Sequence, residues 1–114
     1  MAREIETKCI HLEETEGALN HFGAMAYPIY QSATYAHPGV GQSTGYDYSR
    51  LQNPTREHLE KTVASLENGI DALAFSSGMA AITLMMELFK PGDHLIVDAD
   101  LYGGSIRLFN HVSE

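Results

Sequence analysis

Apolar positions in this chain fall into two unlike patterns. From residue 54 they recur regularly: Leu59, Val63 and Leu66 stand at i, i+4 and i+7, which is one face of a helix. Asn53 supplies a cap, Pro54 suits the first helical position, and Gly69 reads as the stop. "DALAF" (71–75) and "HLIVD" (94–98) are short unbroken apolar runs, the pattern of buried strands. Between them "SSGMAAITLMMELFK" predicts a helix that stops at Pro91-Gly92-Asp93. "ADLYGGS" then reads as a loop, and "IRLFNHV" as the start of another helix. Strand, helix, strand at this spacing is a βαβ unit, with parallel strands and a right-handed crossover. Parallel sheets need cover on both faces, and two strands do not make a complete one. The chain therefore reads as the beginning of a larger α/β protein, poorly stable alone because its strand edges and faces lie open.

Residues 1–53 lack that regularity. Turn formers are frequent (Gly17, Gly23, Pro28, Pro38, Gly39, Gly41 and Gly45), and five of the six tyrosines lie here. So long a stretch with little regular structure is unusual inside a compact domain. It reads as an arm packed on something else, with a neighbouring subunit the natural candidate. The expected division is an arm over 1–53 and the first part of an α/β domain over 54–114.

Composition narrows the function. At 114 residues and 44% apolar content the chain is about one small domain, able to bury a core. Seven basic against fifteen acidic residues give a net charge of −8, which argues against general affinity for nucleic acid or anionic membranes. Cys9 is the single cysteine and has no Cys or His partner at metal-ligand spacing, as suits a reducing compartment. The charged start is no secretory signal, and "GMAAITLMMELF" is too short to cross a bilayer and contains Glu87. A cytoplasmic protein with no bound metal is the expectation.

Any anion must then be held locally. "AFSSGMAAI" ends a strand on Ser76-Ser77-Gly78 and opens a helix, leaving backbone N–H groups and the helix dipole aimed at one negative group. Gly78 removes the Cβ that would block close approach. The two serines serve equally well as a plain helix cap. There is no GxxxxGK[ST] and no GxGxxG, so a single phosphate or carboxylate fits better than a nucleotide. Between Gly69 and Lys90 the chain has no Lys or Arg, and Lys90 lies roughly 18 Å along the expected helix. A counter-charge has to come from elsewhere. "YDYSRLQNPTR" (46–56) offers one: in an extended segment Tyr48 and Arg50 point the same way, and a guanidinium grips phosphate bidentately. A surface salt bridge is the plain alternative for Arg50. Arg56, in the first turn of the next helix, reads as a solvated or ion-paired surface residue. Tyr102 follows the second strand, where an aromatic ring can stack on a flat ligand or simply pack for burial. Arg107 reads locally as a surface residue.

In this order and spacing, "YSRLQNPTR", "SSGMAAI" and "DLYGGS" resemble the Cys/Met-metabolism enzymes that use pyridoxal 5′-phosphate (PLP), among them cystathionine γ-synthase, cystathionine γ-lyase, O-acetylhomoserine sulfhydrylase and methionine γ-lyase. "PIYQSATYA" resembles the family's N-terminal arm, and the likeness covers nearly the whole chain. It implies an α/β/α sandwich with a mainly parallel sheet, of the aspartate-aminotransferase type (PLP fold type I), in a tetramer of catalytic dimers. It also implies roles. Gly78 and Met79 would donate backbone N–H groups to the cofactor phosphate. Tyr48 and Arg50 would reach the phosphate of a neighbouring subunit's cofactor. Tyr102 would stack on the pyridine ring and serve catalytically in proton transfer, and Arg107 would lie near an amino-acid substrate. The implied activity is β/γ-elimination or γ-replacement on sulfur amino acids or activated homoserines.

Two departures qualify this. PLP chemistry needs a lysine to hold the cofactor as a Schiff base, and Lys8, Lys61 and Lys90 do not stand in the family's lysine motif. The chain thus reads as an N-terminal fragment, inactive alone. Gly104 follows Tyr102-Gly103 where methionine γ-lyases often carry cysteine, which leans toward the synthase, lyase and sulfhydrylase branches. The competing reading from another class is an inactive interaction module that docks on a full-length homologue.

Overall fold

The structure, a computed structural model, describes residues 4–11, 24 and 26–111. Four helices are formed: α1 (Ile5–Ile10), α2 (Pro54–Leu66), α3 (Gly78–Met86) and α4 (Gly103–His111). The chain divides into two compact units, Met1–Leu73 and Ala74–Glu114.

In the first unit, α2 starts where its sequence dictates. The Asn53 side chain accepts from the Thr55 N–H at 2.9 Å, and Pro54 needs no N–H partner in the first turn. The helix ends three residues before Gly69. Asn68 takes the left-handed conformation (φ 54°), and the Gly69 N–H closes back on the Ala64 carbonyl at 2.8 Å. This is a Schellman ending in which asparagine occupies the position usually given to glycine. The burial of α2 also departs from its apolar stripe. Pro54 and Ala64 are its buried residues, whereas Leu59 and Val63 are 55% and 42% exposed. Two of the three positions of that stripe thus stay exposed, and Leu66 is half-buried.

The stretch expected to lack regular structure begins with α1, which the sequence does not announce. It has six residues, none buried and no side-chain cap, so neither an apolar face nor a capping signal marks it. Further along, Thr34 and Tyr48 form an isolated antiparallel bridge, with Tyr35 N–H on the Asp47 carbonyl (3.1 Å) and Ser49 N–H on the Ala33 carbonyl (2.9 Å).

The segments 71–75 and 94–98 are not part of any strand among the described residues. Periodicity finds the apolar runs, but a parallel ladder needs paired neighbours and covered faces to persist. The boundary between the two units falls inside 71–75.

In the second unit, α3 begins at Gly78 as expected but stops at Met86, so Lys90 lies beyond the helix rather than along it. The chain reverses at Lys90-Pro91-Gly92-Asp93: the Asp93 N–H reaches the Lys90 carbonyl at 3.0 Å, and Gly92 has φ 99°. Proline followed by a glycine at positive φ is the type II turn pattern. The Lys90 N–H bonds to Asp93 Oδ2 at 2.8 Å, which closes the turn from the other side. Helix α4 starts at Gly103, so the "GGS" read as loop is its first turn. The Tyr102 carbonyl accepts from Ser105 N–H (2.8 Å) and Ile106 N–H (3.2 Å), which makes Tyr102 the residue that launches the helix.

Candidate functional site

Two clusters carry the candidate residues, one in each unit. In the first, residues 48–51 form a turn: the Tyr48 carbonyl accepts from the N–H groups of Leu51 (2.9 Å) and Gln52 (3.0 Å). The expected extended geometry is therefore absent. Tyr48 and Arg50 still meet, because the turn folds the Arg50 guanidinium over the Tyr48 ring, 5.0 Å from its centroid. A cation in that position is held by the ring's quadrupole and stays available to an anion on its outer side. Among the described residues Arg50 forms no ion pair.

Three side chains hold this turn in place. Asn53 is the most connected. Its Nδ2 donates to the Tyr30 carbonyl (3.1 Å), the Ser49 hydroxyl (3.0 Å) and the Tyr35 hydroxyl (3.3 Å), while its Oδ1 caps α2. The Tyr30 N–H in turn donates to Thr55 Oγ1 at 2.8 Å, tying the arm to the first turn of the helix. The second anchor is Glu57, which accepts from the Tyr46 hydroxyl and from Lys61. Those two bonds, Lys61 first, hold the Glu57 carboxyl below its ordinary value of 4.5. Burial, followed by the bond to Glu57, pushes the Tyr46 hydroxyl well above the ordinary tyrosine value.

The third anchor is Arg56. It is ion-paired as the sequence suggested, with Nε 3.6 Å from Glu60 Oε1. Its remaining nitrogens, however, donate to the carbonyls of Arg50 and Leu51. Arg56 thus braces the turn that presents Arg50, a role that sequence reasoning missed. The signal was present: a guanidinium six residues after Arg50 at a helix start has the preceding turn's carbonyls as its nearest acceptors.

In the second unit, Ser77 opens α3. Its hydroxyl accepts from Ala80 N–H (3.1 Å) and its carbonyl from Ala81 N–H (3.2 Å). Among the described residues no acceptor engages the N–H groups of Gly78 and Met79, and a Cβ built at Gly78 would meet nothing within 4 Å. The cap and the anion cup, alternatives in the sequence, coexist because they use different N–H groups. At the start of α4 the Tyr102 ring is 73% exposed, and the side chains of Tyr102 and Met79 both close on Gly104. Ser105 is buried beneath them, its hydroxyl 3.8 Å from Met79 Sδ. Arg107 is exposed on α4. The structure thus pairs Tyr48 with Arg50, and gathers Met79 with Tyr102.

The start of α3 by itself suits a single phosphate, with open N–H groups and no bulk at Gly78. No group of three His, Cys, Asp or Glu among the described residues could hold a metal ion. No described helix is long and apolar enough to cross a membrane.

Comparison with known proteins agrees with this chemistry. Residues 6–114 match the family described as Cys/Met metabolism PLP-dependent enzyme. The chain is 50% identical over 111 residues to the Bacillus subtilis cystathionine gamma-synthase/O-acetylhomoserine (thiol)-lyase, covering 97% of this chain and 29% of that protein. It is 49% identical over 108 residues to the Coxiella burnetii cystathionine beta-lyase, covering 95% of this chain and 27% of that one. Among solved structures, the Lactobacillus plantarum cystathionine gamma-lyase complexed with L-serine superposes with a TM-score of 0.80 at 44% identity, over 96% of this chain and 28% of that one. The chain spans under a third of the length of these relatives. The expected fold class, the opening of the α/β fold type I sandwich, agrees with these relatives, although 71–75 and 94–98 form no strand among the described residues. The chain belongs to the Cys/Met metabolism PLP-dependent enzyme family.

Proposed function

We propose that this chain works as the N-terminal part of a longer PLP-dependent enzyme of sulfur amino acid metabolism, acting by β/γ-elimination or γ-replacement on cystathionine-like amino acids or activated homoserines. The observation that carries the reading is the cup at the start of α3, where Gly78 and Met79 keep free N–H groups beside a helix already capped by Ser77. The match over residues 6–114 supports it. PLP, when bound, supplies an electron sink for charge developing at the substrate α-carbon.

The chain's own residues hold and orient that group. Gly78 and Met79 donate their N–H groups to its phosphate, and the α3 dipole favours the negative charge. α3 brings no cation of its own, so the charge is met by Arg50 with the Tyr48 hydroxyl. Both belong to the 1–53 arm, which we assign to contact with a neighbouring subunit in a homotetramer of catalytic dimers. Tyr102 covers the flat face of the cofactor with its ring and moves a proton at its hydroxyl. Arg107 faces the carboxylate of the amino-acid substrate. The cytoplasm, where free thiols and amino acids meet, is the compartment we assign.

The test is to express the longer protein that begins with this chain and incubate it with cystathionine, and separately with O-acetylhomoserine and a thiol. Release of a thiol and a 2-oxo acid, or formation of a new thioether, is the expected result. A PLP-loaded protein that converts neither would overturn the reading.

A further inference from the structure

The Tyr27 ring lies flat on the His58 imidazole, with centroids 3.8 Å apart and planes 9° from parallel. Both residues are half-buried, and they line one cavity with Cys9 of α1 and with Asn53, Thr55 and Arg56. Two neutral rings disfavour so close a stack, because both faces are electron-rich; such pairs settle offset or tilted with centroids about 4.5–7 Å apart. Protonating the imidazole reverses this, since a cation over a ring face is attracted to it.

The surroundings admit that charge. On α2, Arg56 and Lys61 are already ion-paired, with Glu60 and Glu57. Burial, then the neighbouring Tyr30, Glu57 and Tyr35, push the Tyr27 hydroxyl up, so the ring beneath the imidazole stays uncharged across the neutral range. Cys9 is the titratable group that α1 adds to the cavity. His58 is the fifth residue of α2, past the first turn in which the helix dipole opposes a cation most.

The segment that follows Tyr27 carries the turn of Tyr48 and Arg50. Tyr30 is bonded to the start of α2 at both backbone groups, by Thr55 Oγ1 at 2.8 Å and Asn53 Nδ2 at 3.1 Å. Ala33 and Tyr35 then bond to Ser49 and Asp47, on either side of Tyr48. The turn therefore rests on a strip of chain that the Tyr27 ring pins to α2.

We infer that His58 is a positioning residue: protonated, it clamps the arm to α2 through the Tyr27 ring, and the clamp loosens when the imidazole loses its proton. Imidazole changes charge near neutrality, at about 6.5 when unperturbed, so the clamp responds to pH where the other groups around it do not. The clamped form favours the proton. Its contribution is therefore full below about pH 6.5 and is lost as pH rises through the neutral range. The clamp stands on the geometry alone; its effect on the cofactor, through Arg50, rests on the function proposed above.

The experiment is amide hydrogen exchange of the full-length protein, read by mass spectrometry on the peptide holding residues 26–35 and corrected for the intrinsic effect of pH on exchange. Protection is expected to be about two- to fivefold greater at about pH 6 than at about pH 8, the range for a cation over a partly exposed ring. The difference is expected to vanish in His58→Phe, which keeps a flat ring without the proton, and in Tyr27→Leu, which removes the face. Equal protection of the wild type at both pH values overturns the clamp, and so does a difference that survives in either variant. PLP release into cofactor-free buffer is the second readout. Between the same pH values it is expected to speed up about two- to fivefold more in the wild type than in His58→Phe. The same change in both proteins overturns the positioning role. An Arg50→Ala protein that retains PLP like the wild type overturns the proposed function instead, and the exchange result then still decides the clamp.

Discussion

The Arg50 guanidinium lies 5.0 Å from the centre of the Tyr48 ring, on a turn whose carbonyls are bonded by Arg56. A cation held this way is pre-oriented and has no carboxylate partner among the described residues. Replacing Arg50 with Ala in the full-length protein should weaken PLP retention about ten- to a hundredfold, the range for a charged hydrogen-bonded contact. Arg50→Lys should recover little of it, since an ammonium lacks the planar fork and the flat stacking surface. Dialysis against cofactor-free buffer, followed by absorbance, measures both. Full recovery by lysine would contradict the bidentate role.

Asn53 combines a helix cap with a clamp, and the two can be separated. Asn53→Ala should destabilise the protein by about 2 kcal/mol, losing the cap and the Nδ2 bonds together. Asn53→Asp keeps the acceptor for Thr55 N–H but loses the two Nδ2 protons shared among Tyr30, Tyr35 and Ser49; the hydroxyls can turn to donate to the new carboxylate, whereas the Tyr30 carbonyl is left facing an oxygen. It should still lose about 1 kcal/mol in chemical denaturation. An Asn53→Asp protein as stable as wild type would mean that only the cap matters.

Gly78 separates folding from binding. A methyl group there meets nothing within 4 Å, so Gly78→Ala should leave the melting temperature nearly unchanged. The same methyl occupies the approach to the Gly78 and Met79 N–H groups, so PLP binding should fall by about tenfold or more, an affinity change that titration of the apoenzyme measures. A loss of stability with unchanged affinity is the contrary result.

The Tyr46–Glu57 bond sets a pH window. The Glu57 carboxyl is lowered in the fold, so its contribution is present above about pH 4.5 and is lost as pH falls through the folded value. The Tyr46 hydroxyl is raised, so its contribution is full below its ordinary value of 10.0 and is lost as pH rises above it. Tyr46→Phe should cost about 1 kcal/mol between those limits, and the difference from wild type should shrink on both sides. Melting temperatures of both proteins from about pH 3 to about pH 11 test this; a pH-independent difference would contradict it.

Much of this is legible in the sequence because it depends on local chemistry. Asn53-Pro54 and Ser77-Gly78 announce helix starts through the hydrogen-bond geometry of their own side chains, and Pro91-Gly92 announces its turn through fixed and positive φ. The pairing of Tyr48 with Arg50 is legible too, but through the wrong geometry, since a turn rather than an extended strand brings them together. Other features depend on partners distant in sequence. The runs at 71–75 and 94–98 carry the composition of strands, yet a ladder forms only with neighbours that periodicity does not supply. Leu59 and Val63 mark a face of α2 but not what covers it. Arg56 has the local look of a surface cation, and only the folded turn reveals that it holds the Arg50 and Leu51 carbonyls.

The central claim is that Tyr48 and Arg50 act on the phosphate held by Gly78 and Met79 of another subunit. Co-expression of two differently tagged full-length variants, Arg50→Ala and Gly78→Glu, and purification of the mixed oligomer test it most directly. If the contact crosses subunits, the Arg50→Ala protomer keeps its own cup and receives an intact arginine from its partner. The mixed oligomer should then bind PLP at that site with near wild-type affinity, although each variant alone binds it poorly. A mixed oligomer that retains PLP no better than either parent would place the contact within one subunit and contradict the account.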